Sequence, residues 1–334
     1  MHITVTGATG HIGNNLVRLL CTQGHQVRAA FRTTEKSFVL EGLPVEQIVG
    51  DILVPDFCNR ICKDTEVVVH TAALISIDGD PHGLVHKTNT IGVANIVNSC
   101  LEKDVRKLIH LSSIHAFDLA ASGPVVNELS PSATPHGMAY DYSKVRGDEE
   151  VRRGLLGGLD AYVIHPTAVI GPHDYFNSYS GVFLRKLFTG KLPALIRGGF
   201  DWVDVRDVVQ GISTIIQLSS NREQTLNARR YIFSGAWASV EEIAEMCAEI
   251  SDRKKYYPVF SKQVARIGLP FIRGYAALSG TAPLYTRESI DTLLHPPIQI
   301  SKSKAVQEIN FHARPLAETL KDCYLWYLDN DFLG

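Results

Sequence analysis

Hydrophobic and polar positions along this chain switch between two periods. Ile3 and Val5 alternate with polar neighbours and stop at Gly7, after which Ile12, Leu16, Leu19 and Leu20 recur at helical spacing, which predicts strand, turn and helix. Gln26–Arg32 repeats the strand signal, Val45–Val49 is a shorter copy, and Glu66–Ala73 is the near-continuous apolar run that a parallel sheet buries on both faces. A long helical pattern covers His82–Lys103, with Asn89, Gly92 and Asn95 at helical intervals. Lys107–Ser113 is then another buried strand, ending in two hydroxyls. A Ser, Pro and Gly-rich loop, Ser122–Gly137, follows, and Met138–Lys144 runs into the charged helix Val145–Arg153. Strands alternating with helices of this length predict an α/β doubly wound parallel sheet, whose ligand crevice lies beyond the strand C-termini.

Beyond Pro172 the alternation weakens. Gly171–Gly181 reads as an aromatic loop able to close over a ligand, Tyr231–Ser234 as a strand, and Ser239–Ile250 as a helix with a capping start. Further helices are expected over Pro283–Thr292, Ser301–Asn310 and Pro315–Leu328, and Val264–Leu278 as an amphipathic or loop-broken stretch. The expected division is a dinucleotide-binding domain over 1–171, with elements near 200–235 returning to it, and a substrate lobe over 172–334 that is partly interleaved.

The turn after the first strand carries chemistry. Gly7, Gly10 and Gly13 follow a G-x-x-G-x-x-G spacing: Gly7 for the tight turn, Gly10 for approach of backbone to a pyrophosphate, Gly13 for close packing of helix on strand. The helix N-terminus, with Thr9, His11 and Ile12, presents unpaired N–H groups to the anion. This is a Rossmann-type cradle. At the end of the second strand an acid would select a ribose 2′-hydroxyl and an Arg a 2′-phosphate. Arg32 stands there, with Thr33, Thr34 and Lys36 beside it and no acid at the strand end, so NADP(H) is expected over NAD(H). Asp51, with Ile52, is placed to meet the adenine or to cap a helix. Thr71, Ala72 and Ala73 form a small-residue strand end against which a ribose can lie. His70 is read as a packed histidine.

Tyr140 and Lys144 are four apart and share one face of a helix. A phenol titrates near ~10, but a neighbouring ammonium and an oxidised nicotinamide both favour its anion. Such a Tyr exchanges a proton with a carbonyl oxygen while hydride moves at the carbon. Tyr142 has no Lys at that spacing. Ser113, at a strand end on the crevice edge, completes a candidate trio.

Composition excludes other classes. With 334 residues, 45% hydrophobic, 20% charged and a formal net charge of −2, the chain is an ordinary globular protein with no field favouring nucleic acid or anionic membrane. No apolar run reaches the roughly 18 residues of a spanning helix, and no leader pattern opens the sequence. Six scattered cysteines, without zinc spacing, suit reduced thiols in a cytoplasmic protein, and no metal is expected.

These motifs resemble the extended short-chain dehydrogenase/reductase superfamily. The match includes Thr6-Gly7-x-x-Gly10-x-x-Gly13, Asp51-Ile52, His70-x-Ala72-Ala73, Ser112-Ser113, Tyr140-x-x-x-Lys144 and the stretch from His165 through Pro166, Thr167 and Val169 to Pro172. The resemblance implies Ser113 as the substrate-polarising hydroxyl, Tyr140 as general acid/base, Lys144 holding the nicotinamide ribose and lowering the Tyr pKa, and Asn89 supporting a proton relay to Lys144 through a water. It also implies that His165, Pro166, Thr167 and Val169 flank the cofactor. Gly198–Val208 and Lys304–Phe311 look like the dihydroflavonol 4-reductase-like and 3β-hydroxysteroid dehydrogenase-like branch. His165-Pro166 departs from the family's usual Arg-Pro, and His11 from an apolar residue. Ser113 is followed by Ile114-His115 and not by the Asp-Glu of dehydratases, which argues against dehydration.

The expected activity is therefore an NADP(H)-dependent oxidoreductase acting on a small-molecule ketone or aldehyde, as a monomer or a homodimer through helices around 83–103 and 140–156. Phe117, Tyr175, Phe176 and Phe183 are candidate substrate contacts. The alternative is a sugar-nucleotide epimerase using the same trio, with Arg185, Lys186, Lys191 and Arg197 available for a diphosphate. An intact proton relay argues against a non-catalytic NADP sensor.

Overall fold

The computed structural model describes residues 1–333 apart from 78, 177, 220–224, 254, 268–289, 291–292 and 294–298. In chain order the first half runs β1 (His2–Thr6), α1 (His11–Thr22), β2 (Gln26–Phe31), a 3-10 turn (Thr34–Leu40), β3 (Val45–Val49), α2 (Pro55–Cys62) and β4 (Val67–His70). The next helix begins as α3 (Leu84–His86), passes through a π-helical turn (Lys87–Ile91) and continues as α4 (Gly92–Glu102). Then come β5 (Lys107–Leu111), β6 (Val125–Val126), α5 (Ala139–Leu156), β7 (Ala161–Pro166) and β8 (Ala168–Ile170).

The second half holds α6 (Tyr179–Phe188), β9 (Leu195–Ile196), β10 (Gly199–Asp204), α7 (Val205–Gln217), β11 (Arg230–Phe233), β12 (Ala236–Ser239) and α8 (Val240–Ser251). It closes with β13 (Val259–Phe260), β14 (Gln299–Ile300), α9 (Ser303–Ile309) and α10 (Leu316–Asp329). The helix expected over Pro283–Thr292 and most of Val264–Leu278 fall outside the described residues.

Seven parallel strands form the main sheet in the order β11-β7-β5-β4-β1-β2-β3. Strand alternation divides its side chains between two cores. Val5, Val69, Ile109 and Ile164 face α1, α7 and α9, whereas Val68, Leu108 and Val163 face α2, α4 and α5. The chain reverses direction across the sheet between β1 and β4, which opens a crevice at their C-terminal ends.

Residues past the expected boundary return to this sheet. Val203, Val208 and Ile212 lie in the same core as β1 and α1, as do Phe233, Ala305 and Phe311. The end of α7 is held by Lys107 on β5, whose buried ammonium donates to the carbonyls of Ile215 at 2.9 Å and Leu218 at 2.5 Å. The remaining elements build the smaller lobe, where β8, β10 and β12 form a three-stranded sheet backed by α6, α8 and α10. The Ser239 capping box starts α8 as its sequence predicts. The loop over Ser122–Gly137 departs from expectation: within it β6 pairs in parallel with β14.

The β1–α1 turn tolerates no side chain at two of its glycines. Gly7 has φ +66°, and a Cβ there would sit 2.7 Å from the Ala72 nitrogen. A Cβ on Gly13 would sit 2.1 Å from the Gly7 carbonyl oxygen, whereas one on Gly10 would meet it at 3.2 Å. Gly13→Ala should therefore cost about 3 kcal/mol in urea unfolding, and Gly10→Ala much less; equal losses would contradict this packing.

Candidate active site

The crevice end of the sheet holds a cavity of about 390 Å³. Ser113, Tyr140 and Lys144 all line it, with His11, Ile12 and Thr71 from the cofactor side. Ala73, Pro166, Thr167 and Val169 also line it. Much of the apolar wall comes from the smaller lobe and its neighbours, including Leu119, Met138, Phe183, Leu195, Phe200 and Trp202. Phe183 and Trp202 lie with parallel rings at 6.3 Å, and Phe200 meets Trp202 edge-on at 5.3 Å.

Each member of the trio is placed by its element. Ser113 follows β5, and its Oγ accepts the His115 N–H at 3.2 Å to start a short 3-10 turn. Tyr140 and Lys144 lie one turn apart on α5, and Lys144 Nζ donates to the Leu111 carbonyl at 3.1 Å. Burial pushes the Tyr140 phenol above its ordinary range; the Ser113 hydroxyl opposes this and the Asp141 charge adds to it. The lowering expected from the ammonium together with an oxidised nicotinamide belongs to the cofactor-bound site; Lys144 Nζ lies 5.8 Å from the Tyr140 ring centroid. Burial also brings the Lys144 ammonium down to about 8, against the pull of Asp148.

The pyrophosphate cradle is preformed. Gly10 precedes α1 and no side chain caps the helix, whose first turn holds no acid. Asn14 donates to the carbonyls of Gly10 and His173, and Asn15 to those of His11 and Pro172. His11 Nε2 is 3.1 Å from the Pro172 carbonyl, so this ring too is part of the clamp. The sequence reading missed both asparagines, because an Asn on a helix carries no signal of a partner about 160 positions away.

Other predicted residues brace the cavity or lie outside it. Thr71 Oγ1 donates to the Thr6 carbonyl at 2.7 Å, and the Ala72 N–H to Thr6 Oγ1 at 3.4 Å, which fixes the β4 end against the glycine turn. Arg32 is exposed at the end of β2. Lys36 lies 4.5 Å over the Phe176 ring. Asp51 Oδ1 accepts the Leu53 N–H at 2.9 Å, a turn-capping role, and Ile52 packs where a Cβ on Gly92 would go.

Geometry corrects the expectations for His165 and for three of the aromatic residues, and gives Asn89 its partners. His165 is fully buried, with Nδ1 3.0 Å from the Ser113 carbonyl, so it steadies Ser113 from behind and does not face the cavity. Asn89, in the π-helical turn, donates to the Leu74 carbonyl and Ser143 Oγ, and its Oδ1 accepts the Leu74 N–H. Its amide thus ties the loop after β4 to α5. Of the aromatic candidates, Phe183 alone lines the cavity. Phe117 packs on His165 at 4.8 Å, and Tyr175 and Phe176 pack on Phe38 at 5.9 and 5.7 Å. A polar pair that the sequence did not reveal lines the cavity beside Tyr140: His115 Nδ1 is 3.2 Å from Asp141 Oδ1.

Known proteins are similar to this chain. A family model described as the NAD dependent epimerase/dehydratase family matches residues 3–228. The chain is 31% identical to sterol demethylase protein B of Methylococcus capsulatus over 252 residues, 75% of each chain. It is 25% identical to a putative dihydroflavonol 4-reductase of Synechocystis over 98% of this chain and 95% of the relative. The crystal structure of gox2253 superposes with a TM-score of 0.83 at 25% identity, covering 99% of both chains. Cradle, trio and kinship together make this chain a member of the NAD-dependent epimerase/dehydratase family, within the extended short-chain dehydrogenases/reductases.

Proposed function

We propose that the protein is an NADP(H)-dependent oxidoreductase that reduces a ketone or aldehyde with an apolar body. One observation carries this reading: the Ser113, Tyr140 and Lys144 heads meet in a cavity whose outer wall is mostly aliphatic and aromatic. The glycine turn fits a dinucleotide, since Gly7 and Gly13 leave room for no side chain and the start of α1 offers uncapped N–H groups. Arg32 and Lys36 would hold a 2′-phosphate, Thr71 and Ala73 would flank the ribose, and Lys144 would hold the nicotinamide ribose. When bound, the reduced nicotinamide supplies the hydride.

The chain's own residues do the rest. Ser113 Oγ orients the carbonyl oxygen toward Tyr140. A buried phenol held above its ordinary range is protonated at neutral pH, which suits donation to the oxygen as the alcohol forms. Lys144 stabilises the phenolate left behind. The apolar wall keeps water from the reacting carbon.

A sugar-nucleotide epimerase would use the same trio, but its substrate brings a diphosphate. Among the described residues Lys144 is the one Lys or Arg on the cavity wall. Arg185 instead stacks on Phe332 at 5.4 Å, and Lys186, Lys191 and Arg197 lie off the wall. That balance favours the reductase.

Loss of reduced-nicotinamide absorbance with apolar ketones and aldehydes tests the activity, with NADH run beside NADPH. Tyr140→Phe should lower turnover by about 100-fold or more while leaving NADPH affinity nearly unchanged; retained turnover removes Tyr140 from the reaction. Arg32→Ala should weaken NADPH by about tenfold and barely affect NADH. An equal loss for both cofactors would refute the 2′-phosphate role.

A further inference from the structure

Behind Lys144 lies a buried polar row that the reaction as described does not use. Strands β1, β4 and β5 present Thr6, His70 and His110 at one level of the sheet, on the face covered by α5. Thr6 Oγ1 is 2.6 Å from His70 Nδ1, and the His70 and His110 rings stack at 5.4 Å. The row ends at Asp148, one turn beyond Lys144 on α5 and 2% exposed. Asp148 Oδ1 is 4.0 Å from His110 Nε2, and Oδ2 is 3.6 Å from His165 Nε2. Among the described residues, Asp148 Oδ1, His110 Nε2 and His165 Nε2 have no partner that meets hydrogen-bond geometry.

Tautomers follow from the partners. The Ser113 carbonyl can only accept, so His165 carries its proton on Nδ1 and turns a lone pair on Nε2 toward Asp148. Burial holds His165 and His70 down to about 3, so both rings are neutral at physiological pH. They bring no positive charge to the carboxylate. The groups that act on Asp148 are Lys144 and Glu149 on its own helix, His110 on β5, Ser112 after it, His165 on β7 and Arg230 on β11. Of these only Lys144 and Arg230 are cations.

We infer that Asp148 is a positioning residue whose buried carboxylate is the countercharge that keeps the Lys144 amine an ammonium. Lys144 needs one. Its single protein hydrogen bond among the described residues goes to a neutral carbonyl, and burial alone favours the free amine. An amine there could neither stabilise the Tyr140 phenolate nor give a full set of donors to a ribose. Burial in turn raises the Asp148 carboxyl to about 6, opposed by Arg230, Ser112 and Lys144. Below that pH the proton that Asp148 takes up can be shared with the His165 lone pair, and Lys144 then loses its countercharge. The inference rests on Lys144 being the cation of the proposed reductase site, yet its test needs no turnover.

The measurement is a lysine titration by NMR on the full chain labelled at the lysine ε-carbon, with Lys144→Arg to assign the signal. The wild-type Lys144 resonance should titrate near pH 8 and show a second, smaller inflection near pH 6 as Asp148 protonates. In Asp148→Asn the main midpoint should fall by about one pH unit or more, a tenfold loss of proton affinity, and the lower inflection should vanish. Asp148→Glu should restore the midpoint. NADPH affinity should follow, declining from a lower pH in Asp148→Asn than in wild type, whereas a structural defect alone would weaken it equally at every pH. An unmoved midpoint overturns the inference. If Asp148→Asn does not fold, absence of the second inflection in wild type overturns it equally. A protein that reduces no carbonyl but shows these shifts keeps the inference and loses only the proposed reaction.

Discussion

Everything at this site depends on how closely three pieces of backbone approach one another. The carbonyl of Gly7 sits against Gly13, and the Cα of Gly7 against the nitrogen of Ala72. The first contact seats α1 on its strand; the second seats the end of β4 on the turn. Atoms at this separation leave no room for a methyl group. The N–H groups of α1 and the small residues after β4 therefore face one crevice in a fixed relation. The trio is then located by β5 and α5, which pack on β4 and its neighbours.

The smaller lobe is aimed at that crevice by polar contacts. Asn14, Asn15 and His11 hold the carbonyls of Pro172 and His173, so the chain leaves the sheet at a set angle. A second tie lies on the far side. Arg206 bridges Asp204 at 2.7 Å and Asp322 at 2.6 Å, and Arg314 bridges Asp207 at 2.8 Å, which joins α7 to the middle of α10 and to the segment before it. These groups are partly buried and charge-assisted, the kind of contact that fixes orientation more than it adds stability.

Much of this was legible in the sequence, and the boundary of legibility has a physical basis. Strands and helices of the sheet announce themselves through local period, and the glycine turn, Ser113, Tyr140 and Lys144 through spacing within one element or at a strand end. Contacts set by distant chain are silent. Nothing local to His165 says that its ring turns inward to the Ser113 carbonyl, because every β7 side chain is buried and strand period does not name a partner. The two-residue pairing of β6 with β14 is too short for any periodicity to show. Spacing likewise gives Tyr140 its neighbour, Lys144, but not how deeply both are buried.

The position of β11 has a consequence for how the chain can be divided. This strand, at Arg230–Phe233, forms one edge of the main sheet beside β7, yet it is made only after the chain has traversed α6 through α7. Its Tyr231 and Phe233 side chains, with Val203, Val208 and Ile212, fill the core that covers α1. A fragment cut after β8 would leave β7 with a bare row of backbone donors and acceptors and α1 with one side uncovered, a template for aggregation. The dinucleotide-binding half is thus continuous in space but not in sequence. The cofactor crevice reaches its final shape only after most of the chain has been synthesised.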